Sequence, residues 1–384
     1  MATLTAGVAQ MPRSGIRRIM DAAWQLSEPV IGLHVGEPSF APAPHIIEAA
    51  QRSYAEGATH YVPNAGIPEL REALSEKILA RNGFPVEPRQ VIVSAGGVQA
   101  LHLAMSLGLS AGDEVLIPDP GWPNFAMIAR LIQAVPIGYP LNAENGFQPR
   151  IDELESLITD RTRMILVNTP SNPLGTVMDA SLLETLVRFA DRHDLWLLSD
   201  ECYDALTFEA EHVSPARFDR EGRVMTAFSF SKTYAMTGLR VGYLTVPIPA
   251  ARDAAKLQEA LVSCVNAPAQ LAALAALRGP QEHVRQMAAF YRDSRDAAMS
   301  LLTELRMPHI VPEGAFYVWV DLRQTADGPI ADWALRLLAE QRVAIAPGTA
   351  FGSGGEGWAR LSLAADRGDL LEGIRRIADM KNAR

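Results

Sequence analysis

Only two cysteines, Cys202 and Cys264, occur in 384 residues, and they lie far apart. A CxxC redox site and a four-thiolate metal cluster are thereby excluded. The eight histidines are spread along the chain with no HxH or HExxH spacing, so no metal site is expected. Positive charge is short as well: 35 Lys and Arg stand against 44 Asp and Glu, a net charge of -9. An acidic chain has no general attraction for a phosphate backbone, and no nucleic-acid partner is expected. Long apolar runs are also missing. The Ala/Leu-rich stretch 259–277 is broken by Ser, Asn, Pro and Gln and falls short of a bilayer span. Residues 1–18 lack the apolar run and cleavage site of a secretory leader. The expected setting is the cytoplasm, with no membrane partner.

What is present is ordinary in bulk and orderly along the chain. Hydrophobic residues make up 48% and charged residues 21%, a globular rather than a disordered mixture. At roughly 150 residues per domain the length allows two or three domains. Short apolar runs, VIVSA (91–95), EVLIPD (114–119), MILVN (164–168), LWLLS (195–199), VMTAFSF (224–230) and GYLTV (242–246), mostly alternate with helix-like stretches. Runs apolar on both faces suit strands covered by helices on both sides. The expected fold class is therefore α/β: a large domain over 46–278 with a mostly parallel sheet in an αβα sandwich. After it come a long amphipathic helix over 281–306, short strands at 315–320, 343–348 and 359–364, and a last helix over 367–380. This reads as a smaller α+β domain, 279–384, made discontinuous by the segment 1–45 through IGLHV (31–35).

Chemistry concentrates where strands end, which is where open α/β sheets place ligands. Gly96 and Gly97 let a strand turn tightly into a helix whose free N–H groups face an anion, although such a pair alone is most often only a turn. In FSFSKTYAMTGLRVGY (228–243), Ser229 and Ser231 alternate along a strand exit, Lys232 follows, and Arg240 precedes the next strand. Hydroxyls and a guanidinium can share the oxygens of a phosphate, with the amine close to the molecule that carries it. A solvated basic loop would not be so apolar. Asn172 follows one strand, Asp200 closes another and Tyr203 comes three residues later. A lone Asp there is usually a helix cap; four polar strand ends in one sheet are a different matter.

These residues resemble the pyridoxal-phosphate-dependent aminotransferases of fold type I, class I/II, the aspartate aminotransferase superfamily. The resemblance runs nearly the full length, through GEPSF (36–40), YVPNAGIPELREAL (61–74), DPGWPNF (119–125), SNPLG (171–175), SDECY (199–203), SFSKTYAMTGLRVGY (229–243), PEGAFYVWVDL (312–322) and PGTAFGSGGEGWARLSLA (347–364). It implies pyridoxal 5'-phosphate as cofactor, held by Lys232 as a Schiff base, with Asp200 on the ring nitrogen. Tyr203 and Asn172 would donate to the phenolic oxygen, and Trp122 would stack on the ring. Ser229, Ser231, Arg240 and the amides of Gly97 and Val98 would hold the phosphate. Arg360 would clamp the substrate carboxylate with Asn172 and the Gly36 backbone. Tyr61 would reach the phosphate of a neighbouring subunit, which implies a homodimer. The Asn172–Pro173 peptide would be cis.

The chemistry is consistent with those roles. An anionic Asp keeps a ring nitrogen protonated, and a released lysine amine is a general base. A guanidinium matches a carboxylate in a bidentate way that lysine cannot. Gly352, Gly354 and Gly357 spell G-x-G-x-x-G, but a strand-like run follows, so a dinucleotide site is not expected and a flexible loop is. Glu201 should point away from Asp200. One departure narrows the substrate: Val98 stands where similar aspartate aminotransferases often carry a lysine for a distal carboxylate. The expected activity is transamination between a neutral or aromatic L-amino acid, in preference to aspartate, and a 2-oxo acid. A β-elimination lyase and a non-enzymatic cofactor-dependent regulator are the alternatives.

Overall fold

A computed structural model describes Met11 and residues 14–382, and side chains through 380. Strand β1 (Ile31–Gly32) belongs to the smaller domain. The large domain is built on β2 (Val91–Ser94), β3 (Glu114–Asp119), β4 (Val135–Pro140), β5 (Thr162–Asn168), β6 (Trp196–Asp200), β7 (Val224–Ser229) and β8 (Gly242–Thr245). They form one seven-stranded sheet in the order β2-β8-β7-β6-β5-β3-β4. Only β8 runs antiparallel to its neighbours.

The continuous apolar runs are explained by burial on both faces. Val115, Met164, Leu166, Leu198 and Met225 point to one side, where helices Gly97–Gly108, Asn124–Leu131 and Ala251–Val262 cover them. Their alternates Leu116, Ile165, Val167, Leu197 and Val224 point to the other, against helix Ala180–Arg192. Because side chains alternate along a strand, both sets must be apolar when both faces are covered. The expected αβα sandwich is what forms. Strand β4 is an addition to it. Pro136, Gly138 and Pro140 make that segment read as turn, and an edge position next to β3 tolerates them.

The smaller domain carries β9 (His309–Ile310), β10 (Tyr317–Asp321), β11 (Val343–Ala344), β12 (Ala346–Pro347) and β13 (Trp358–Ser362). The run 343–348, expected as one strand, divides: β11 pairs with β1, while β12 joins the sheet β12-β13-β10-β9. Pairing of β1 with β11, and Ile19 of helix Gly15–Trp24 in the same core as Trp333 and Leu361, make this domain discontinuous. Helix Glu282–Glu304 supplies Met287, Tyr291 and Leu302 to that core. No helix among the described residues is long and apolar enough to cross a membrane.

Candidate active site

The carboxyl ends of β2, β5, β6 and β7 converge on a cavity of about 310 Å³ between the two domains. It is lined by Gly36, Gly97, Val98, Trp122, Asn172, Asp200, Tyr203, Ser229, Ser231, Lys232, Arg240 and Arg360. Tyr61 is the one residue expected in the site that lies elsewhere; it is 88% exposed. A larger cleft, about 430 Å³, opens across helix Gly15–Trp24 and shares only Trp122 with the first. Of the strand-end polar groups it holds Asp119 alone, and it contains none of the cavity's cations.

One end of the cavity is made for an anion. Helix Gly97–Gly108 starts there, and its cap Gly96 has φ +80°, a conformation that favours glycine. A Cβ on Gly96 would stand 2.3 Å from Arg240 Nη2, and one on Gly97 would stand 2.9 Å from Cys202 Sγ. A side chain at Gly96 would fill the space between the helix start and the guanidinium, and one at Gly97 would press on Cys202 and Ser229. Ser229 ends β7, and its Oγ accepts a hydrogen bond from Ser231 N at 3.1 Å. Arg240 is held by Nη1 donating to Thr237 O at 2.7 Å and adopts φ +53°, an unusual conformation for a non-glycine residue.

Next to this end stand a buried amine and a buried acid. Lys232 Nζ donates to Gly36 O at 2.5 Å. Burial lowers its pKa to about 8, because the charged amine is the form that loses most by leaving water. Asp200 lies deep in the cavity wall, and burial raises its pKa to about 6 against the opposing effect of hydrogen bonds from Cys202. Asn168, paired with Asp200 across β5 and β6, ties the wall together: its Nδ2 donates to Asp200 O at 3.1 Å, and its Oδ1 accepts from Asn172 N at 2.7 Å. Glu201 turns away from the cavity, as expected, and accepts from Ser199 Oγ at 3.0 Å and Ser214 Oγ at 2.6 Å, with His212 Nε2 at 2.8 Å. Lys77 bonds Asp204 and so anchors the far end of the same loop.

The opposite end belongs to Arg360. Alternation along β13 puts Ala359 and Leu361 into the small-domain core and Trp358, Arg360 and Ser362 on the other face. Arg360 is 2% exposed; Nη1 donates to Asn172 Oδ1 at 2.9 Å and Nη2 to His34 O at 2.6 Å. The guanidinium stands 4.3 Å from the Tyr317 ring centroid and 4.9 Å from that of Phe351. Among the described residues its Nε has no hydrogen-bond partner and the guanidinium forms no salt bridge. Burial and the adjacent guanidinium hold the His34 imidazole down at about 4, so it stays neutral at pH 7. A buried guanidinium without a counter-ion is costly unless a carboxylate is brought to it.

Residues 28–377 match the family described as aminotransferase class I and II. The chain belongs to that family. It is 39% identical over 378 residues to an aspartate aminotransferase of Pyrococcus horikoshii, covering 96% of this chain and 95% of that one. It is 40% identical over 356 residues to a probable aspartate/prephenate aminotransferase of Aquifex aeolicus, covering 91% and 90%. The solved structure of an aspartate aminotransferase from Thermus thermophilus with maleate superposes with TM-score 0.94 at 37% identity, over 99% of this chain and 100% of that one.

This aminotransferase catalyses pyridoxal-phosphate-dependent transamination between amino acids and 2-oxo acids. Its residues fit the cofactor. The helix start beyond Gly96, two serine hydroxyls and Arg240 form a donor set for a phosphate. Asp200, held among apolar strands, suits a cationic ring nitrogen, which would bring its raised pKa back down toward the ordinary carboxylate range. When bound, the cofactor supplies a conjugated ring that delocalises the electron pair left by a broken Cα–H bond.

The cavity also contains residues that sequence reasoning missed: Ile16, Met20, Val35, Cys202, Thr237 and Tyr317. Only Tyr317 had a usable signal, since alternation in a strand opposite WARLS puts it on the face of Arg360. The glycine-rich loop 352–357 lies against the end of β3: Ser353 Oγ donates to Asp119 Oδ2 at 2.8 Å and Gly354 N donates to Oδ1 at 3.0 Å. Asn172–Pro173 is cis, as are Asp119–Pro120 and Thr169–Pro170.

Proposed function

We propose that this aminotransferase uses a neutral or aromatic L-amino acid in preference to aspartate, with glutamate and 2-oxoglutarate as one pair. The observation that carries this reading is the distribution of charge around the cavity. Its cations are Lys232, Arg240 and Arg360, and the remaining wall offers Ile16, Met20, Val35 and Val98. Arg360 answers the α-carboxylate, with Asn172 and the Gly36 backbone beside it. A distal carboxylate would meet apolar groups and be desolvated without a partner. The relatives named for aspartate make the opposite result the natural rival.

In the same reading Lys232 anchors the cofactor and moves the proton to and from the substrate Cα, and Asp200 keeps the ring nitrogen protonated. Tyr203 and Asn172 donate to the phenolic oxygen, Trp122 covers the ring, and Ser229, Ser231, Arg240, Gly97 and Val98 bind the phosphate. Tyr61 serves the phosphate of a second copy in a homodimer; the exposed Tyr54, Tyr61, Leu261 and Val262 support burial against such a copy. The domains divide as 1–45 with 279–384, and 46–278. A reducing cytoplasm suits the free thiols Cys202 and Cys264.

The test is a product-resolved panel of L-amino acids with several 2-oxo acids, measuring kcat/KM and detecting both keto acids and ammonia. Phenylalanine, tyrosine or a small neutral amino acid should exceed aspartate. Aspartate as the best donor by about tenfold, equivalent to about 1.4 kcal/mol, would overturn the preference. Ammonia as the main nitrogen product would indicate elimination instead.

A further inference from the structure

Beside Tyr203 the cavity holds a second buried phenol to which no role has been given. Tyr317 opens β10 and is 1% exposed, and its hydroxyl lies 2.8 Å from that of Tyr203. Register pairs Trp319 with Arg360 and Tyr317 with Ser362, so Tyr317 and Arg360 are diagonal neighbours on one face of the sheet. That placement sets the Tyr317 ring against the guanidinium, 4.3 Å from Cζ to centroid. The hydroxyl also packs against Gly36: a Cβ there would lie 2.3 Å from it. The carbonyl of Gly36 in turn accepts from Lys232 Nζ. One phenol therefore touches the surroundings of the amine, the carboxylate clamp and the other phenol.

Proton counting gives the pair a direction. Two hydroxyls share one hydrogen across a single hydrogen bond, and each phenol has only one to donate. If Tyr203 gives its hydrogen to Tyr317, none remains for an oxygen in the cavity. If Tyr317 donates, the Tyr203 hydrogen is free to point inward, and accepting a bond polarises that hydroxyl into a stronger donor. The guanidinium against the Tyr317 ring has no lone pair to accept with, so it does not compete for the Tyr317 hydrogen.

We infer that Tyr317 is a positioning residue for transamination: it donates to the Tyr203 oxygen, thereby aiming the Tyr203 hydrogen at the cofactor's phenolic oxygen, and its ring supports Arg360. The inference rests on the role given to Tyr203 above. Among the described residues the other titratable groups acting on the two phenols are Cys202, Arg360 and Tyr291, which the substitutions below leave in place.

The experiment uses holoenzyme and compares Tyr317→Phe, Tyr317→Leu and Tyr203→Phe. Its first readout is the pH midpoint of the bound cofactor's visible absorbance, and its second is the split between kcat and KM. A donated hydrogen bond favours the anionic phenolic oxygen, so weakening it should raise the midpoint. In Tyr317→Phe, which keeps the ring, a rise of about 0.5 or more is expected, with kcat down about threefold to tenfold and KM within about twofold. Tyr317→Leu should add a rise in amino-acid KM of about fivefold as the ring beneath Arg360 is lost. Tyr203→Phe should raise the midpoint more than either.

A moved midpoint in Tyr203→Phe with none in Tyr317→Phe would make Tyr317 a packing residue and overturn the inference alone. An unmoved midpoint in Tyr203→Phe would remove the Tyr203 assignment and the inference together.

Discussion

The two ends of the cavity are assembled in different ways. The cofactor end is made of short stretches that leave parallel strands of one sheet: Gly96–Gly97 after β2, Asp200–Tyr203 after β6 and Ser229–Lys232 after β7. Register holds these groups, as where Asn168 faces Asp200 across β5 and β6. The substrate end is gathered from Ile16 and Met20 on one helix, Val35, Val98, Tyr317 and Arg360, which come from both domains and nearly the whole length of the chain. In the proposed reading the cofactor end serves every substrate, and so does Arg360, while the apolar side chains of Ile16, Met20, Val35 and Val98 sort substrates. Substitutions at the cofactor end should abolish turnover for all donors; those at the four apolar positions should change the ranking among donors.

The largest effect should come from Lys232→Ala. Loss of the anchoring amine and the proton-transfer base together is expected to lower turnover by about 10³-fold or more, with some cofactor affinity retained. Borohydride reduction and peptide mass analysis should find the pyridoxyl group of the parent on Lys232. Recovery on another lysine would dissolve the contrast at its strong end.

Asp200→Asn should lower single-turnover proton abstraction by about a hundredfold, and Asp200→Glu by much less. Equal, unaltered rates in both variants, with cofactor bound normally, would remove the electronic role of the acid. At the substrate end, Arg360→Lys keeps the charge but loses the bidentate geometry. About 1.5–3 kcal/mol of contact corresponds to a drop of about 10- to 160-fold in kcat/KM, for every donor alike.

A pH series sharpens the first half. An amine attacks an aldehyde only when unprotonated, and burial sets the Lys232 pKa at about 8. The rate of cofactor capture by apoprotein should therefore fall about tenfold per unit below pH 8 and level off above it. A rate still climbing toward 10.5, the ordinary lysine value, would show a solvated amine. The smallest effect is expected from Val98→Lys: a gain of a few-fold for aspartate relative to phenylalanine, provided the amine faces the cavity. A uniform loss for all donors would move Val98 from the sorting end to the common one.

The same division governs what could be read from sequence. Six strands of the large sheet were legible because burial on both faces writes continuous apolar runs, and the chemical groups follow those runs within a few residues. Strand β4 was hidden by its prolines, which only an edge tolerates. Nothing in the spacing of Ile16, Met20 or Val35 marks them as cavity residues, since their neighbours in space are hundreds of positions away. Helix periodicity can show that Gly15–Trp24 has an apolar stripe, but it cannot say what the stripe covers. Arg360 was found through its family motif, and the absence of a counter-ion among the described residues around it became visible only in three dimensions.

The helix Gly15–Trp24 has two attachments: Ile19 lodges in the small-domain core, while Ile16 and Met20 face the cavity. Positions on one short helix can therefore be inherited or exchanged independently of every group on the carboxyl edge of the large sheet. For a protein engineer this makes the segment a cassette. Libraries confined to positions 16 and 20 would explore new amino donors while the catalytic apparatus stayed constant. In descent by duplication, the same arrangement would let sister enzymes diverge in diet through a handful of changes within one short helix.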